Sequence, residues 1–117
     1  MSKELRQRLK HFALMIIEFA EKLPKNQTTF VLGRQILKSG TSIGANYYAA
    51  CRARSRAEFI AKLGIVEEEA DETIYWLDLL AGSKNVNQRD LDVLPTEANE
   101  IRSIIIRSIK TARQNYI

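Results

Sequence analysis

Five basic side chains stand where they could hold phosphate. Arg34 and Lys38 lie four residues apart, and Arg52, Arg54 and Arg56 occupy alternate positions. Guanidinium and ammonium groups bind phosphate through charge-assisted hydrogen bonds and by displacing its counterions. Lys3, Arg6, Arg8 and Lys10 could extend the same patch. A second reading leaves these cations solvated, or paired with Glu67, Glu68, Glu69, Asp71 and Glu72 of a neighbouring helix or subunit. The acidic run itself raises the question of a metal, but a di-iron bundle needs inward glutamates and Glu-x-x-His pairs. His11 is the single histidine and has Arg8 three residues before it, so that pair is missing. Cys51 has no base near it in the sequence to make it a nucleophile, and it reads as a small buried residue. Tyr47, Tyr48, Tyr75 and Trp76 could stack on bases. Aromatics beside a core seam more often fill interfaces between helices or subunits, and we read all four that way. The residues compose no catalytic set, no metal site and no cofactor motif, so the expectation is a non-enzymatic protein.

The elements that must position these side chains are helical. Leu5, Leu9, Phe12, Ile16, Phe19 and Leu23 alternate steps of four and three, one stripe of an amphipathic helix over 3–23. Ser2 is a candidate cap, and Pro24 ends the helix. A second helix spans 28–54, capped by Thr28 or Thr29, with the small-residue stripe Gly33, Ile36, Gly40, Ile43, Tyr47 and Ala50. Each mid-helix glycine costs about 1 kcal/mol relative to alanine. We therefore read Gly40 and Gly44 as close contacts between continuous helices; a break at residues 39–42 is the alternative. Ser55-x-x-Glu58 fits a capping box for a third helix over 56–82, in which Phe59, Leu63, Val66, Ala70, Thr73, Leu77 and Leu80 keep heptad spacing. Gly82 would stop it. The fourth helix covers 88–114, and Pro95 either kinks it or marks its true start. Residues 114–117 should fray.

Composition sets outer bounds. A chain of 117 residues with 45% hydrophobic and 27% charged content suits one globular domain. Two prolines and five glycines favour helices over a loop-rich β fold. The single cysteine permits no internal disulfide, consistent with the cytoplasm. Apolar runs are too short to span a bilayer, and no uninterrupted apolar segment follows the charged N-terminus, so neither a membrane partner nor a signal peptide is expected. Four amphipathic helices with short connections imply an all-α, antiparallel up-down-up-down four-helix bundle.

Residues 35–80 carry a resemblance that sharpens this. The string Ser42-Ile43-Gly44-Ala45-Asn46, the segment 56–62 and Tyr75-Trp76-Leu77-x-Leu79-Leu80 are similar to the small bundles known as 23S rRNA intervening-sequence proteins. Helix count, order and linker lengths extend the likeness over nearly the whole chain. The resemblance implies a homopentamer, and a relationship to the basic pentameric accessory protein of diversity-generating retroelements, which binds nucleic acid and a reverse transcriptase. It carries no catalytic residue and no cofactor over. Residues 47–50 read Tyr-Tyr-Ala-Ala where a glutamate-containing segment is expected, so no role is assigned to an acid there.

Charge by segment points to a working face. Residues 28–54 carry four basic and no acidic side chains, whereas residues 55–86 carry three basic and seven acidic. The sequence thus suggests a basic side on the first two helices and an acidic third helix. The leading expectation is an oligomer that binds or scaffolds RNA or DNA through Arg34, Lys38, Arg52, Arg54 and Arg56. The alternative is a protein–protein adaptor that never touches nucleic acid.

Overall fold

The structure, a computed structural model, describes residues 2–114. The Ser2 side chain and residues 115–117 fall outside this description, and with them the expected Ser2 cap and nearly all of the expected fraying. The chain forms α1 (Ser2–Glu21), α2 (Gln27–Cys51), α3 (Arg56–Gly82), a single turn α4 (Gln88–Leu91) and α5 (Leu94–Gln114). α1, α2, α3 and α5 make an all-α, antiparallel four-helix bundle measuring 50 × 20 × 20 Å. Sequential neighbours pack side by side, and α5 closes back on α1. The expected stripes are the core: Phe12 and Ile16 of α1, Ile36 and Ile43 of α2, Leu63 and Leu77 of α3, and Ile101 and Ile105 of α5 are all fully buried.

Most departures from the expected boundaries have local causes. α1 stops at Glu21 rather than residue 23, because the Lys22 and Leu23 amides bond three residues back to Phe19 and Ala20, tightening the turn before Pro24. Asn26, not Thr28 or Thr29, caps α2: its Oδ1 accepts from the Thr29 amide at 3.0 Å, while Thr29 Oγ1 accepts from the Asn26 amide at 3.1 Å. α2 ends at Cys51, and residues 52–54 form the joint instead of a last turn. There Ser55 Oγ accepts from the Glu58 amide, and the Glu58 carboxylate takes the amide of Arg54 rather than that of Ser55. α3 ends at Gly82 as expected, but without a left-handed glycine: no glycine has a positive φ, and Lys84, at φ 63, takes the left-handed position two residues on. The fourth element breaks at Asp92, φ 23, and the main helix restarts at Leu94. In an unbroken helix the Pro95 ring would strike the Leu91 carbonyl, whereas the first turn of α5 tolerates it.

α2 is continuous through its glycines, as the stripe implied. A Cβ at Gly40 would lie 2.9 Å from Ile16 Cγ2, and one at Gly44 would lie 3.5 Å from Leu9 Cβ. α1 therefore rides directly on the α2 backbone at Gly40. Gly64 is different, since nothing lies within 4 Å of its would-be Cβ. Gly64→Ala is expected to raise stability by about 1 kcal/mol through helix propensity alone. Denaturant titration of the variant checks this, and a loss of stability would show that the site is crowded. Between α2 and α3 the buried Thr73 hydroxyl donates its one proton to the Glu69 carbonyl at 2.8 Å and accepts from the Ser39 hydroxyl at 2.9 Å. This pair is satisfied inside an otherwise apolar seam, which fixes the register of the two helices.

Candidate nucleic-acid interface

Antiparallel order gathers the starts of α1 and α3 and the ends of α2 and α5 at one end of the bundle. Within 2–9, 45–63 and 107–114 the chain carries ten basic side chains and two acidic ones, Glu4 and Glu58. The remainder holds eight basic and twelve acidic. The charge is thus divided between the two ends of the bundle, as well as between α2, which carries no acid, and acidic α3.

Arg52, Arg54 and Arg56 come together at the α2–α3 joint, and all three are exposed. None of them forms an ion pair among the described residues. Arg56 Nη1 instead donates to the Ala112 carbonyl near the end of α5, at 3.5 Å. That contact tethers the joint to Arg107, Lys110 and Arg113, three exposed cations spaced three apart on the last turns of α5. The sequence reading missed these three. Their signal was the combination of that spacing with an antiparallel order, which brings the end of the last helix beside the joint.

Arg34 and Lys38 are exposed but lie elsewhere. Fourteen residues separate Lys38 from Arg52, about 21 Å along a helix axis. Arg34 places its guanidinium 5.6 Å from the centre of the Phe30 ring. Lys38 faces Glu69, whose carboxyl is pushed above its ordinary value by burial and by Glu72, with Lys38 opposing. The five cations singled out in the sequence thus divide into a joint cluster of three and a separate pair.

The acidic run does not neutralise the joint. Asp71 bonds Arg102 of α5 at 3.0 Å. Among the described residues no group of three His, Cys, Asp or Glu side chains could hold a metal. Arg8, expected in the basic patch, grips Glu97 of α5 through two 2.8 Å hydrogen bonds. Those bonds hold the Glu97 carboxyl below the usual carboxylate range. A depressed carboxyl stabilises the fold above its unfolded pKa and loses that contribution as pH falls through the folded one. Wild type should therefore lose stability relative to Glu97→Gln as pH drops below about 4.3. The difference should stay under about 1 kcal/mol, because both side chains are partly exposed. Parallel urea titrations at pH 7 and pH 3 measure it, and an unchanged gap would remove the bridge from the stability of the bundle.

The four aromatics separate by environment. Tyr47 is buried in the core, where desolvation, aided by the Cys51 thiol, pushes its hydroxyl up to about 12. Tyr48 is 49% exposed and carries the Arg6 guanidinium 5.2 Å above its ring centre. Tyr75 is 55% exposed and leans on half-buried Trp76 with ring centres 5.3 Å apart. Trp76 Nε1 and Arg6 Nε are shielded from solvent with no hydrogen-bond partner among the described residues. Tyr47 thus packs between helices of its own chain, while Tyr48 and Tyr75 face outward. No described helix is long and apolar enough to cross a membrane.

Comparisons with known proteins agree with this architecture. A crystal structure of a protein of unknown function from the S23 ribosomal protein family of Bacteroides thetaiotaomicron superposes with a TM-score of 0.85. It is 38% identical, and the match covers 93% of this chain and 97% of that one. No curated protein matches the chain. The model of the 23S rRNA-intervening sequence protein family matches residues 2–107. With nearly the whole chain matched and the bundle in place, the protein belongs to the 23S rRNA-intervening sequence protein family.

Proposed function

We propose that this protein is a non-enzymatic, oligomeric binding protein that holds nucleic acid, RNA foremost, against the basic end of its bundle. One observation carries the reading: the three joint arginines are exposed and unpaired among the described residues, beside Arg107 of α5, although elsewhere at that end Arg8 is held by Glu97 and Lys62 by Glu58. Unpaired exposed guanidinium groups exchange water and counterions for phosphate without first breaking an ion pair. The family's name and its resemblance to a basic pentamer support RNA as the ligand and five copies as the assembly. Outward-facing Leu14, Val31 and Tyr75 supply apolar surface for contacts between copies. A ring would repeat the basic end and multiply weak contacts through effective concentration.

Binding of a structured RNA and of duplex DNA, followed by fluorescence anisotropy from 50 to 500 mM salt, tests the reading. Several phosphate contacts give a steep linear fall of log K with log salt, a slope of about −0.9 per contact for duplex. Mass measured on the same sample reports the assembly. Absence of binding at the lowest salt would discard nucleic acid, and the protein-adaptor reading would then stand in its place.

A further inference from the structure

An open cavity of about 880 Å³ lies between the end of α2, the start of α3 and the last turns of α5. Four of the positions lining the gap are small, Ala50, Ala53, Ser108 and Ala112, which leaves the space open. Tyr47, Phe59 and Ile104 supply further apolar wall. Exposed Arg56 and Arg107 stand at its mouth, and the Ala112 carbonyl holds Arg56 across the gap between α3 and α5. An apolar recess with two cations at its mouth, neither in an ion pair among the described residues, suits neither a bare anion nor an uncharged hydrophobe. It suits a planar, weakly polar ring that carries a phosphate on each side.

Resting on the function proposed above, we propose that this cavity takes one unpaired nucleobase, with Arg56 and Arg107 on its flanking phosphates. The basic end then distinguishes single-stranded or looped nucleic acid from duplex. A duplex keeps its bases stacked inside and offers this end phosphates alone, whereas an unpaired base can turn outward and stack. Hydrogen-bonding groups in the recess are few. Ser108 Oγ already donates to the Ile104 carbonyl at 2.9 Å, and Tyr47 stays protonated beside the Cys51 thiol. Thr111 is the remaining hydroxyl in the lining. The recess therefore reads the presence of a base more than its identity.

The test uses the full-length protein and three probes of equal length at one salt concentration. These are a single-stranded oligonucleotide with a central 2-aminopurine, the same strand with abasic sites throughout, and a blunt duplex. The intact strand should bind about tenfold or more above the abasic strand, with a change in 2-aminopurine fluorescence. Thr111→Trp fills the recess and leaves every charge in place, so it should bring the intact strand to within about twofold of the abasic one. Ser108→Leu reaches the same space from the previous turn and gives a second reading if the first variant folds poorly, as judged by circular dichroism. Equal binding of intact and abasic strands by wild type would overturn the proposal while leaving phosphate binding intact. So would a preference that survives both filled variants. Binding of none of the three probes would overturn this proposal and the proposed function together.

Discussion

Replacing Arg52, Arg54 and Arg56 together by alanine should weaken RNA binding on the order of several hundredfold at 0.1 M salt. Three phosphate contacts, each worth 0.7 to 0.9 in the salt slope, give that figure, and the slope itself should fall by about two to three. The three side chains are exposed and make no ion pair among the described residues, so the substitution strands no buried charge and removes only the 3.5 Å contact of Arg56 with the Ala112 carbonyl. The melting temperature should shift little. The sharper comparison is with Arg34→Ala/Lys38→Ala, which removes two charges rather than three, from α2 about 21 Å away. That pair should cost less than about tenfold, because it acts through the general field rather than through contact. Equal losses per charge removed in the two variants would mean that net charge alone, and not the joint, governs binding.

Gly40→Val is expected to be the most damaging single substitution in the fold. Even the first carbon of a side chain at Gly40 meets Ile16 Cγ2 at 2.9 Å and Cγ1 at 3.0 Å. Ile16 is fully buried and β-branched, so it has no free rotamer to retreat into. α1 would have to lift from α2, opening gaps along a core packed as densely as a crystal. Overpacking of this kind costs about 3 kcal/mol, roughly 10 to 15 °C in melting temperature for a domain of this size. Gly44→Ala is the internal control. Its Cβ would sit 3.5 Å from Leu9, an ordinary contact, and the gain in helix propensity should raise stability by up to about 1 kcal/mol. Combining Gly40→Ala with Ile16→Ala should relieve part of the strain. Strict additivity of the two changes would contradict the contact.

Much of this architecture was legible because heptad spacing and glycine placement are local signals. The stripe from Phe59 to Leu80 allowed one register, and Gly40 and Gly44 in an otherwise helical pattern had one economical explanation. The helix ends were less legible. Asn26 outcompeted Thr28 and Thr29 as the cap because its carbonyl oxygen reaches the Thr29 amide while the Thr29 hydroxyl returns the bond. α3 ends at Gly82 as its spacing suggested, yet the left-handed residue that follows is Lys84, which nothing in the local sequence marks.

The site was legible only in part, for a topological reason. Counting charge by segment assigns each helix one value, yet every antiparallel helix contributes its two halves to opposite ends. α5 sits in a stretch that is nearly neutral by sequence, but Arg107, Lys110 and Arg113 all lie on its final turns. α3 looks acidic as a whole, although its first turns carry Arg56 and Lys62 toward the joint. Arg34 and Lys38 were grouped with Arg52 because they share a helix, and the length of that helix is what separates them.

Photocrosslinking of the full-length protein to a 4-thiouridine-substituted RNA, with peptide mapping by mass spectrometry, bears most directly on the basic end as the binding surface. Crosslinks are expected in peptides spanning 45–62 and 104–114, diminished in the triple arginine variant. Crosslinks concentrated on the acidic stretch of α3 or in the loop before α5, with those two regions untouched, would contradict it.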